Sequence, residues 1–151
     1  MVFYTRKSPR IPNYDYSNCG YYFITICTKE KECIFGSAEK LNDFGLIAER
    51  ELAAIEAHYD HILIDKYVVM PNHVHAIIVI DHSGQSNLSS VIGQYKSGVT
   101  RKIREKCPKI TVWQRSFHDH VIRNETQYLK IWEYIDQNPA KWELDCFYCE
   151  N

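Results

Sequence analysis

The chain has 151 residues, enough for one domain built around one core. With 45% hydrophobic and 25% charged residues it has the composition of a soluble globular protein, and no apolar run approaches the length of a membrane span. A net charge of −1 excludes the whole-chain basic signature of a general nucleic-acid binder, so any such role must rest on local charge.

A single domain over residues 1–151 is expected, with an irregular arm at 1–19 and a short tail at 143–151. The arm mixes Arg6, Lys7 and Arg10 with Tyr4, Tyr14 and Tyr16, and holds Pro9 and Pro12. It lacks the apolar stretch of a secretion signal. A cytoplasmic location is therefore expected, and with it six cysteines kept as thiols. Tyr21 to Thr28 (YYFITICT) is rich in β-branched and aromatic residues and reads as a strand, with Cys27 as a small core residue. Residues 43–57 read as a helix, because Phe44, Ile47, Ala48, Leu52 and Ile55 recur at helical spacing. His61 to Met70 reads as a second strand. Pro71-Asn72 is a turn, and His73 to Ile80 (HVHAIIVI) is a third strand apolar on both faces, hence central and antiparallel to the second. Residues 87–105 form a second helix on the stripe Leu88, Val91, Ile92, Tyr95, Val99 and Ile103. Phe117 to Arg123 is a fourth strand. Asn124 with Gln127 makes a capping box for a third helix, whose core face is Tyr128, Ile131, Trp132 and Ile135 and whose end is set by Pro139. The order predicts an α+β fold: a ferredoxin-like split β-α-β arrangement with a central antiparallel sheet, helices concentrated on one face, and an additional C-terminal helix.

Five features bear on chemistry. His73 and His75 are two apart in a strand and so project side by side, a spacing at which two imidazoles bind one divalent ion or simply sit near a hairpin. Tyr134 and Asn138 share a face on the flank of the third helix, where a tyrosine either reaches a cleft or covers the core edge. Between Leu88 and Lys109, the basic residues Lys96, Arg101, Lys102, Arg104, Lys106 and Lys109 stand against the single acid Glu105, a segment suited to phosphates or to plain solvation. In the segment Trp113 to Arg123, His118 and His120 fall on one strand face and Asp119 on the other. Cys146 and Cys149 form a lone Cys-x-x-Cys without the second ligand pair a zinc site needs.

Three blocks together resemble a known family. The run VVMPNHVHAIIVI resembles the signature strand of the HUH-type single-tyrosine transposases, in particular the REP-associated tyrosine transposases, which are related to the short insertion-sequence transposases. YYFITICT resembles the family's first strand, and VWQRSFHDHVIR followed by YIDQNPAKW resembles its C-terminal block. The likeness covers about residues 20–142 in the expected order.

The resemblance implies that His73 and His75 bind a catalytic Mg²⁺ or Mn²⁺, that Tyr134 is the nucleophile, and that Asn138 is a third metal ligand. It implies cleavage and rejoining of single-stranded or hairpin DNA through a 5′-phosphotyrosine, in a protein that associates with the nucleoid when bound and does not enter membranes. Lys96, Arg101, Lys102, Arg104, Arg115, His120 and Arg123 are the expected DNA contacts, with the basic arm. A homodimer, in which the tyrosine helix serves the partner, stays open. Two other readings are a DNA-binding protein of the same fold that has lost catalysis, and a metal phosphoesterase that uses water and forms no adduct.

Overall fold

A computed structural model describes residues 20–81, 86–145, 147 and 148. The expected arm at 1–19 and the Cys146/Cys149 pair lie outside the described residues. The elements are β1 (Gly20–Cys27), α1 (Asp43–His58), β2 (Ile62–Met70), β3 (His73–Ile80), α2 (Leu88–Arg104), β4 (His118–Ile122) and α3 (Glu125–Gln137). Single 3₁₀ turns at Lys29–Lys31 and Trp142–Leu144 follow β1 and α3. The expected elements all form, with ends displaced by a residue or two.

The sheet has the order β2-β3-β1-β4, with every neighbouring pair antiparallel. This is the split β-α-β arrangement, with β3 inserted beside β1 and between β1 and β2. Side-chain parity then decides everything about the site. Tyr22, Ile24 and Ile26 of β1 and Val74, Ala76, Ile78 and Ile80 of β3 point to one face, where α1 and α2 cover them with Leu52, Ile55, Leu88, Ile92 and Val99. The alternate residues Phe23 and Ile77 point to the other face, and so do His73 and His75.

That second face is the first correction to the sequence reading. Only α1 and α2 share a face; α3 packs on the opposite one, placing Ile131 and Ile135 over Phe23 and Ile77. The physical reason is that β1 and β3 are apolar on both sides, so the second side also needs a cover. The contact is narrow. Trp132, expected in the core, is 38% exposed, and its ring instead receives Lys66 Nζ at 3.9 Å from the centroid. The Asn124 cap forms as expected, its Oδ1 accepting from Gln127 N–H at 2.9 Å. Gln127 reaches back to the N–H of Arg123 rather than that of Asn124.

The second correction concerns the cysteines. Cys27 and Cys107 are free, and Cys27 is buried as expected, but Cys33 is disulfide-bonded. Whether two cysteines bond depends on their approach in space, with Cα atoms about 4.4–6.8 Å apart, which neither composition nor compartment reveals.

Candidate active site

The site begins at the Pro71-Asn72 turn. Asn72 is fully buried, and its amide Nδ2 donates to the carbonyls of Lys31 (3.2 Å) and Phe147 (2.7 Å). Two acceptors on the nitrogen fix which end of the amide is which. Asn72 Oδ1 therefore faces His73 Nδ1 at 2.8 Å as an acceptor, and the ring proton sits on Nδ1. His73 Nε2 is left with its lone pair. One residue pair further along β3, Thr25 Oγ1 lies 2.9 Å from His75 Nδ1, since β1 and β3 place Thr25 directly opposite His75.

The two rings stand 4.5 Å apart, centroid to centroid, and are almost wholly inaccessible to water. Burial pushes His73 down to about 4, against the opposing pull of the Asp145 carboxylate and the Asn138 amide. Burial, reinforced by the neighbouring His73, holds His75 well below its ordinary range. Both imidazoles are thus neutral near neutral pH. Both Nε2 atoms are buried and have no hydrogen-bond partner among the described residues. A buried polar atom left unpaired costs about 1–3 kcal/mol, so two of them side by side ask for a ligand. Neutral imidazoles whose Nε2 atoms have no partner among the described residues, each tied at Nδ1 by a second group, are what a divalent ion requires.

α3 brings the remaining groups. The ring of Tyr134 lies 5.3 Å from that of His75 and 6.2 Å from that of Phe23, centroid to centroid. One turn later Asn138 is buried, with Nδ2 donating 3.0 Å to Asp145 Oδ2 and with Oδ1 buried and unpaired among the described residues. Tyr134 Oη donates to the same carboxylate oxygen at 3.3 Å. The sequence-predicted quartet His73, His75, Tyr134 and Asn138 therefore converges.

Asp145 is the residue sequence reasoning missed. One ligand atom from each of His73, His75 and Asp145 lies within 4.8 Å of the others. Asp145 follows the Trp142–Leu144 turn, in a stretch with no periodicity to read. The available cue was aromatic: Trp142 and Phe147 flank it, and both rings pack on His73, at 6.0 and 4.5 Å. An aromatic pair in a supposed tail signals that the tail is docked.

The expected DNA contacts do not form one surface. Lys96 Nζ donates to the carbonyls of Gln114 and Ser116, both at 2.9 Å, so it ties down the loop before β4. Lys102 pairs with Glu51, and Arg104 Nε donates to the Ile110 carbonyl at 3.0 Å. Arg101, Arg115 and Arg123 are exposed. His120 is half-buried opposite Phe23, on the histidine face of the sheet. α2 itself lies across the sheet from His73 and His75.

A family model described as IS200-like transposase matches residues 15–138. An uncharacterized protein of Haemophilus influenzae is 37% identical, covering 96% of this chain and 94% of its own length. The REP-associated tyrosine transposase of Escherichia coli K12 is 33% identical over 78 residues, which is 52% of this chain and 44% of that protein. A solved REP-associated tyrosine transposase bound to a REP hairpin has the same fold, with a TM-score of 0.66 at 22% identity, covering 93% of this chain and 74% of that one. Across the sheet order, the paired histidines and the matched length, the chain belongs to the IS200-like transposase family, and within it is similar to the REP-associated tyrosine transposases.

Proposed function

We propose that this protein cuts and rejoins single-stranded DNA through a covalent link to Tyr134, with His73, His75 and Asn138 holding a divalent ion, Mg²⁺ or Mn²⁺. The observation that carries this reading is the 5.3 Å approach of the Tyr134 and His75 rings, from elements nearly sixty residues apart. The Nε2 atoms of both histidines and the Oδ1 of Asn138, which have no partner among the described residues, fit the donor set of such an ion. When bound, the ion supplies Lewis-acid polarisation of the scissile phosphate and counters the charge that develops there.

The chain's own residues do the rest. Tyr134 Oη attacks phosphorus in line, and the proton it gives up is matched by the one the leaving 3′ oxygen takes up, so no net proton is released. A bond forms between the phenolic oxygen and phosphorus as the bond to the 3′ oxygen breaks. The products are a 5′-phosphotyrosine and a free 3′-hydroxyl. Attack by a 3′-hydroxyl on that link reverses the step and rejoins DNA, with no outside energy source. Phe23, Ile131 and Ile135 wall the site on the sheet side and anchor the tyrosine helix, which keeps the phenol aimed at the histidines.

The DNA is proposed to carry a hairpin beside the cut, as in the solved relative described as bound to a REP hairpin. Incubating the protein with a labelled hairpin-bearing single strand and Mg²⁺ should give a band that survives denaturing electrophoresis. Tyr134→Phe should bind the strand and give no such band. Normal adduct from that variant, or cutting without any adduct in the wild type, contradicts the role of Tyr134.

A further inference from the structure

Asp145 is not part of the quartet read from sequence, yet it occupies the centre of it. Its Oδ2 accepts from both Tyr134 Oη (3.3 Å) and Asn138 Nδ2 (3.0 Å). Its Oδ1 accepts from the Phe147 N–H at 2.8 Å, a short-range bond that fixes the plane of the carboxylate. The segment around it is pinned from three sides. Phe147 and Trp142 stack on His73, Asn72 donates to the Phe147 carbonyl, and Lys31 Nζ lies 5.3 Å from the centroid of the Phe147 ring.

Charge makes the position informative. Two neutral imidazoles and one amide oxygen offer an ion no formal negative charge. Mg²⁺ and Mn²⁺ are hard cations that favour anionic oxygen and are commonly bound through one or two carboxylates. Among the described His, Cys, Asp and Glu residues, Asp145 is the carboxylate that meets His73 and His75 at ligand spacing. The two Nε2 atoms and the Asn138 oxygen are all buried and have no partner among the described residues, so the cluster has donors aimed inward and is not a chance surface group.

Resting on the metal reading above, we infer that Asp145 is a further ligand of the divalent ion and supplies the negative charge that the two imidazoles and the amide lack. Without the ion, the carboxylate holds the phenol as an acceptor. With the ion, the same carboxylate would face the cation. The Asn138 amide already presents its nitrogen to Asp145, which leaves its oxygen for the ion.

The test is Mn²⁺ binding to the full chain without DNA, followed by calorimetry and by the loss of the free-ion electron paramagnetic resonance signal. Wild type should bind one Mn²⁺. Asp145→Asn, which keeps the shape and an acceptor oxygen, should weaken that binding about 10- to 100-fold, at least the loss typical of disturbing a group next to a metal ligand. Thermal unfolding of each variant confirms that it is folded. Asp145→Asn binding like wild type while His73→Ala binds nothing would overturn the ligand role and leave the metal site standing. Absence of Mn²⁺ binding by the wild type would overturn both the inference and the metal reading beneath it.

Discussion

His73 and His75 sit fully inside the protein, each with an Nε2 atom that has no hydrogen-bond partner among the described residues. The arrangement has a measurable consequence in the metal-free protein. An unfolded histidine takes up its proton near pH 6.5, whereas His73 in the fold resists until about 4. The unfolded state therefore binds more protons between those values, and stability falls as pH falls. The contribution is present in full above about 6.5, declines through the window from 6.5 to 4, and is absent below it. From His73 alone the loss is on the order of 3 kcal/mol. Denaturant midpoints measured across that window should drop for the wild type and much less for His73→Gln, and an equal drop in the two would mean that the ring is not buried neutral. The histidine pair was legible in the sequence because two residues apart in a strand means one face. Asp145 was not, because its place depends on a turn that no period encodes and on aromatic docking seven residues beyond Asn138.

β3 could be read from its composition, since HVHAIIVI is apolar at both parities and only a strand covered on two sides tolerates that. What the composition left undetermined is which cover lies where. The periodic stripe of α3 admits Trp132 as readily as Ile131, and the distinction arises only when the helix meets a patch made of Phe23 and Ile77. Truncation separates the two. Ile131→Ala removes a buried side chain and should cost about 2–4 kcal/mol. Trp132→Ala removes an exposed ring and one cation–π contact with Lys66, worth about 0.5–1 kcal/mol. Urea unfolding of both variants checks this, and a Trp132 cost equal to that of Ile131 would mean the helix is rotated relative to the packing described. Because Tyr134 rides on the same helix, Ile131→Ala should also lower adduct yield at temperatures where the fold is still intact.

For the molecule as a whole, the near-zero net charge hides a local organisation. α2 lies on the face away from the histidines, but its basic C-terminal end returns to the same end of the sheet as the site. The loop after it bridges Thr28 to Trp113, and Gln114 N–H donates to the Cys27 carbonyl at 2.9 Å, where Cys27 pairs with His73 across the sheet. Arg115 follows directly and is exposed. Sequence alone could count these charges but not separate those that hold the loop, such as Lys96 and Arg104, from those free to face a strand. Arg115→Ala should weaken single-strand binding and flatten the slope of log affinity against log salt by about 0.7, with the adduct formed per bound strand unchanged. Fluorescence anisotropy over a salt series provides the check, and an unchanged slope would move the DNA path away from this edge. The central claim concerns where the DNA becomes attached, and trypsin gives the most direct view of it. Cleavage after Lys130 and Lys141 releases residues 131–141, a peptide whose single tyrosine is Tyr134, while Tyr128 falls in the preceding peptide. Mass spectrometry of the adduct formed in Mg²⁺ should find the nucleotide on peptide 131–141, and finding it on any other peptide would contradict the account.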